Sequence, residues 1–195
     1  MPNTNAPFGF RQYRGLGSAP TYEQSVRLIK SDNTTAIFFG DPVTNLNTGY
    51  IGRATAGANP ISGIFAGCKY LSTSQKRTVW SNYWPGADAA ADVEAYLIDD
   101  PNAQFLVQAG GTAIGLGDMG NYIQFDLGTG NTATGISGAF VTGAATTITL
   151  PFRIIGFDVD PPGSNGTDIS SAYNYVIVAF NNITSRSNTA GPTGI

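Results

Sequence analysis

Histidine is absent from this 195-residue chain, and cysteine occurs once, at Cys68. Without histidine there is no Ser–His or Cys–His nucleophile pair, and the usual zinc and iron sites lose their commonest ligand. One cysteine allows no intrachain disulfide, as expected of a chain made in a reducing cytoplasm. Charge is scarce too: 12% of residues are charged, about half the usual share. No apolar run approaches the roughly 20 residues that span a bilayer. Asn3, Thr4 and Asn5 stand where a secretory signal would place apolar residues. Neither a membrane partner nor secretion is expected.

What the chain has instead is glycine, threonine, asparagine and alanine, and short β-rich runs at close intervals. Examples are "SVRLIK" (25–30), "TAIFFG" (35–40), "GYIGRA" (49–54), "ISGIFAGCKYL" (61–71), "KRTVWSNYW" (76–84), "VEAYLID" (93–99) and "AQFLVQA" (103–109). "NYIQFDL" (121–127), "ISGAFVTG" (136–143), "TITLPFRIIGFDV" (147–159) and "YNYVIVAFNN" (173–182) follow. In "NYIQFDL", Tyr122, Gln124 and Asp126 share one face and Ile123, Phe125 and Leu127 the other, the period of a half-buried strand. Turn strings such as "SDN", "GDP", "DDPN" and "DPPGSNG" separate the runs.

Many short strands imply an all-β single domain, a β-barrel or a β-sandwich, with at most one or two short helices. The best helix candidate is "GADAAADVEA" (86–95), with Asp88 as its N-cap. The organisation expected is an extended N-terminal arm at 1–20, a β-rich body at 21–182 and a polar C-terminal tail at 183–195. Exposed sheet edges demand closure or a neighbouring chain.

The net charge of −3 hides a polarity. Residues 1–80 carry eight basic and three acidic side chains, and residues 81–195 carry two basic and ten acidic ones. Either the two halves face different ways, so that copies meet positive to negative, or they interleave and the polarity cancels in space. The basic residues are dispersed, and no nucleic-acid footprint is present.

Several motifs are tested and set aside. Gly115, Gly117 and Gly120 form a G-x-G-x-x-G string, but "NYIQFDL" follows where a dinucleotide site needs a helix. "DVDPPGSNGTD" (158–168) gathers carboxylates, yet Pro162 and Ile169 stand where EF-hand ligands belong, so a turn is expected. Asp92, Glu94, Asp99 and Asp100 are the obvious pool for a glycoside-hydrolase pair. Asp99 and Asp100 are adjacent and would point to opposite faces. No enzyme activity, cofactor or metal is expected.

Two aromatic groups stand out as candidate binding residues. The first is "PNTNAPFGFRQYRGLG", where Phe8, Phe10 and Tyr13 accompany Arg11 and Arg14. Ordering ten residues costs about 15 kcal/mol. Burying the three rings removes roughly 600 Å² from water and returns a similar amount. The arm is therefore expected to order on a surface that receives it, with the arginines facing carboxylates. Deleting residues 1–17 is expected to leave a folded body. The second group is Trp80, Tyr83 and Trp84 in "VWSNYWPG" (79–86), either core or subunit interface by the shared strand parity of the tryptophans, or an exposed platform for sugars or proteins.

The ordered strings "NAPFGFRQYR" (5–14), "AIFFGDPV" (36–43), "GIFAGCKYL…VWSNYWPG" (63–86) and "AYLIDDPNAQFLVQA" (95–109), with "LPFRIIGF" (150–157) and "YVIVAFNN" (175–182), run through most of the chain. Together they resemble a family of small tailed-bacteriophage head proteins, the capsid decoration or cement proteins encoded near the major capsid protein. That resemblance implies a non-enzymatic virion protein on the outer capsid surface, stabilising capsomer junctions. Its partner would be the major capsid protein, and it would be a homo-oligomer, a trimer by likeness to known cement proteins, made in the host bacterial cytoplasm. The family's closing strand is replaced here by a polar tail to Ile195. A carbohydrate-binding or fibre/tail component of the virion is the alternative.

Overall fold

The computed structural model describes residues 3–15, 23–158 and 168–186. Its strands in chain order are β1 (Arg11–Arg14), β2 (Ser25–Ile29), β3 (Pro42–Asn45), β4 (Ile51–Arg53), β5 (Gly63–Leu71) and β6 (Thr78–Ser81). They continue with β7 (Val93–Ile98), β8 (Gln104–Gln108), β9 (Tyr122–Asn131), β10 (Ile136–Ala145), β11 (Phe152–Phe157) and β12 (Tyr175–Phe180). They form two antiparallel sheets packed as a sandwich-like domain. The first sheet has the order β1-β8-β12-β11-β9-β10; the second has β2-β7-β5-β3-β4, with β6 also paired to β5.

Both sheets curl. In the first, Ala109 bridges Val141, which brings β10 back to the end of β8. In the second, Asp92 accepts hydrogen bonds from Tyr50 Oη at 2.7 Å and from the Ser31 N–H at 3.1 Å, which draws the ends of β4, β7 and β2 together. The first buried cluster takes side chains from both sheets, Ile64 and Ile98 included, and the second lies within the second sheet. Phe105, Phe125, Phe152 and Val178 anchor one buried cluster, and Phe65, Trp84, Val93 and Leu97 anchor the other.

Strand β5 feeds both clusters. Ile64 belongs to the first and Phe65 to the second, as alternation requires. An irregularity between Phe65 and Gly67 then shifts the register against β7, so Cys68 and Tyr70 follow Phe65 inward while Lys69 turns outward. Gly67 has φ +140, a conformation that suits glycine at a bulge.

The N-terminal arm is received by the chain's own body. Strand β1 pairs with β8, Gly9 N–H donates to the Ala139 carbonyl of β10 at 3.2 Å, and Phe10 N–H donates to the Gly40 carbonyl. Phe10 is 1% exposed, its ring stacked on Phe152 at 4.5 Å and edge-on to Phe105 and Phe125. The buried Gln108 amide accepts from Ala6 N–H and donates to the Thr4 carbonyl, reading the arm as a neighbouring strand would. Asn3 Nδ2 reaches the carbonyls of Asp168 and Ala172. The expectation that the arm orders on a partner is corrected for Phe10: its ring completes this chain's core, because the gap between β8 and β10 supplies both backbone partners and apolar walls.

A buried polar seam joins the sheets beside this plug. Asp41, wholly buried, lies 2.8 Å from Arg53 Nε, accepts from Ser137 Oγ at 2.5 Å, and accepts from the Phe38 N–H at 2.9 Å. A paired, hydrogen-bonded carboxylate is the condition under which a buried charge is tolerated.

The helix expected over 86–95 does not form. Gly86 and Ala87 have positive φ, Ala89 bridges Ser72, and β7 begins at Val93. Asp88 instead accepts from Ser72 Oγ, Thr73 Oγ1 and the Ser74 N–H. Local propensity yields here to non-local pairing. The helical residues described are two single 3₁₀ turns, Leu116–Asp118 and Thr184–Arg186. The polar tail expected at 183–195 starts on Ile183, which is buried and bridges Ile61; residues 187–195 lie outside the described residues, as do 159–167 of the acidic turn.

The charge polarity is met inside the second sheet. Strand β7 from the acidic half lies between β2 and β5 from the basic half, and Lys69 Nζ sits 2.6 Å from Glu94. Arg27 lies 3.7 Å from Asp99. On these strands the halves interleave.

Candidate interaction surface

A strand paired on both sides hides its backbone, but its outer face still depends on what covers it. On the second sheet the inner face is occupied by Val93, Ala95 and Leu97 of β7, so Glu94 and Tyr96 point outward. Pairing carries that face sideways: Val26 lies opposite Tyr96, Leu28 opposite Glu94, and Lys69 opposite both Glu94 and Trp80. Val26 is 54% exposed, Leu28 44%, Leu71 47% and Trp80 68%. Four large apolar side chains from β2, β5 and β6 therefore stand in water on the face that carries Lys69 and Glu94.

The aromatic pair organises this face. Trp80 stacks on Tyr96 at 5.6 Å between ring centres and 6° between planes. Gly67 lies opposite Tyr96 on β5, two residues from Lys69, the partner of Trp80. Lys69 Nζ lies 5.3 Å from the Trp80 ring while paired to Glu94, and that carboxylate raises its pKa. Gln24, Ser81 and Asn82 join the rings around a shallow groove of 400 Å³ floored by Ala66, Gly67 and Cys68. The Cys68 thiol points into the core toward the Tyr83 carbonyl, and burial pushes its pKa up to about 12.

The sequence candidates separate. Trp80 is on the surface, but Trp84 is wholly buried against Tyr70, and Tyr83 is half-buried and stacked on Phe38. The three-ring platform is therefore corrected: strand β6 ends at Ser81, so the parity shared by positions 80 and 84 does not persist. Trp84 bonds to Ile37 through both its N–H and its carbonyl, in the inner layer. In the arm, Phe10 is buried, Phe8 is half-buried edge-on to Tyr175, and Arg11, Tyr13 and Arg14 are exposed. Arg11 lies over Phe8 at 4.7 Å and Arg14 over Tyr13 at 5.5 Å, a cationic strip along the outer strand β1.

Sequence reasoning missed Val26, Leu28, Leu71 and Tyr96. A signal was present in "SVRLI", where apolar residues occupy both parities of a short strand, so one set must face outward unless both faces are covered.

The carboxylates considered for glycoside hydrolysis are each engaged elsewhere. Glu94 pairs with Lys69, Asp92 accepts from Tyr50 and Ser31, Asp99 accepts from Ser25 Oγ, and Asp100 accepts from the Asn102 N–H. The glycine string at 115–120 is a single 3₁₀ turn in which Asp118 accepts from the Gly115 N–H. Among the described residues no group of three or more His, Cys, Asp or Glu side chains is placed to hold a metal, and no helix is long and apolar enough to cross a membrane. Comparison with protein-family models, with curated proteins and with solved structures finds no match to this chain.

Proposed function

We propose that this chain is a non-enzymatic virion protein that decorates the outer surface of a tailed-phage head and stabilises the junctions between capsomers. The observation that carries this reading is the outer face of the second sheet, where Val26, Leu28, Leu71 and Trp80 stand exposed together around a neutralised Lys69–Glu94 pair. Contiguous exposed apolar surface of this kind is characteristic of protein contacts. The β1 strip of Arg11, Tyr13 and Arg14 supplies a second, cationic contact for carboxylates of the major capsid protein. Binding the assembled shell more tightly than its free subunits would stabilise the shell by mass action. A homo-oligomer of three copies is the arrangement the resemblance favours.

Occupancy on heads assembled without this chain tests the proposal. Wild-type protein is expected to bind saturably and to raise the temperature at which heads release DNA. Trp80→Glu and the double change Arg11→Glu, Arg14→Glu, all at exposed positions, are expected to lower occupancy at least tenfold while leaving the fold intact. Equal occupancy by wild type and both variants would overturn it. Sedimentation of the free protein reads the number of copies.

A further inference from the structure

The groove beside Trp80 has features that a flat protein contact does not require. Trp80 and Tyr96 stack on each other above Gly67, so each ring uses one face on its neighbour; at 68% exposure, Trp80 keeps much of its surface in water. Gly67 cannot take a side chain without crowding, since a Cβ there would lie 3.0 Å from the Ser81 carbonyl. The groove carries no uncompensated charge: Lys69 is neutralised by Glu94 at 2.6 Å, and Cys68 turns its thiol inward. Its polar rim consists of neutral groups, with Asn82 held in place by donating to the Thr134 carbonyl and the Gln24 amide exposed.

A ligand matched to this surface has a flat C–H face for an aromatic ring, hydroxyls for an amide, and no charge. A neutral pyranose has all three, because its axial hydrogens form an apolar face and its equatorial hydroxyls both donate and accept. A charged peptide or a nucleic acid would leave its charges without partners here. We propose that the groove between Trp80, Tyr96 and Gln24 is a binding site for neutral saccharides. The site shares Trp80 with the capsid contact proposed above, so a saccharide and the capsid are expected to compete for this face, and sugar binding by the free protein can fail while the capsid contact stands.

Tryptophan fluorescence reads the site directly, because the chain has two tryptophans and Trp84 is wholly buried. The probes are neutral hexasaccharides of glucose, mannose, galactose and N-acetylglucosamine. At least one is expected to give a saturable change in wild-type emission. Trp80→Ala is expected to abolish that change while the Trp84 emission stays that of a folded protein. Tyr96→Ala and Gln24→Ala, read by calorimetry, are expected to weaken binding about tenfold and about threefold, which keeps the test valid should one variant misfold. No saturable response to any probe, an undiminished response in all three variants, or a response to a proline-rich peptide in place of the sugars would overturn the site. Capsid occupancy of the wild-type protein, measured without sugar, separates this outcome from failure of the decoration reading.

Discussion

The N-terminal arm and the Trp80–Trp84 segment look alike as sequence, each a short aromatic cluster next to cations, yet the fold treats them in opposite ways. The arm turns its central ring inward, with Phe10 stacked on Phe152 and closed over by β8 and β10. The second segment divides, Trp84 inward and Trp80 outward. The difference lies in the backbone. Arm residues find hydrogen-bond partners on both sides, at Gly40, Ala139 and β8, and a side chain between two satisfied walls has somewhere to be buried. Strand β6 pairs with β5 alone, so Trp80 lies at a margin with water beyond it.

The deepest loss of stability should come from Phe10. Phe10→Ala should cost about 3–5 kcal/mol, the range for emptying a buried aromatic site. Denaturant unfolding should show a lower midpoint with an unchanged slope. Removing residues 1–17 should do at least as much damage, contrary to the expectation drawn from sequence that the body survives without its arm. A loss below about 1 kcal/mol for Phe10→Ala would mean that the arm is an accessory.

Asp41 is next. Asp41→Ala removes one partner of a buried pair and strands Arg53 beneath Phe38, which should cost about 3 kcal/mol. Arg53→Met leaves the wholly buried Asp41 carboxylate without its counter-charge, so it should cost a similar amount although the Ser137 and Phe38 bonds remain. Because Asp41 ties β3 to β10 through Ser137, both sheets should still unfold in one transition monitored by fluorescence and by circular dichroism. Two separated transitions in wild type would show that the seam does not couple them.

Acid offers a milder test. Hydrogen bonds from the Ser72 hydroxyl, the Ser74 N–H and the Thr73 hydroxyl hold Asp88 down to about 2, and the hydroxyls of Ser170 and Ser171 with the Ser170 N–H do the same for Asp168. A carboxyl whose folded pKa lies below its unfolded value stabilises the fold fully above the unfolded value, near pH 4, and loses that contribution as pH falls toward 2. Asp88→Asn should flatten the stability profile within that window and leave it unchanged in shape near neutrality. A profile unaltered between pH 4 and 2 would count against these bonds.

The β-rich architecture was legible in the sequence because it rests on a local period. "NYIQFDL" placed Ile123 and Phe125 in the core and Gln124 and Asp126 outside, as β9 has them. What was not legible depends on distant partners. "TAIFFG" looks like a strand but makes only isolated bridges at Ile37 and Phe39, because those residues line the space between the sheets. "GDP" reads as a turn, yet β3 begins at Pro42, and Asp41 finds Ser137 ninety-six positions away. The bulge at Gly67 and the end of β6 at Ser81 each reverse a parity, and no single-strand pattern contains that information. The exposed sheet face was missed for the same reason: it is assembled by pairing.

Trp80 and Trp84 should differ most in what their loss costs the fold. Trp80→Ala should cost no more than about 1 kcal/mol, since it forfeits one ring stack and little burial. Trp84→Ala, four residues along, should cost about 3–5 kcal/mol because it empties the centre of the second cluster. Two identical substitutions in one short string would then differ severalfold, by thermal or chemical denaturation. A side chain that the fold can lose at so little cost is free to serve something outside the chain, and Trp80, not Trp84, is the residue from which partner binding should disappear. Equal costs at the two positions would mean that Trp80 is part of the core after all, and the outer face of the second sheet would lose its claim as the binding surface.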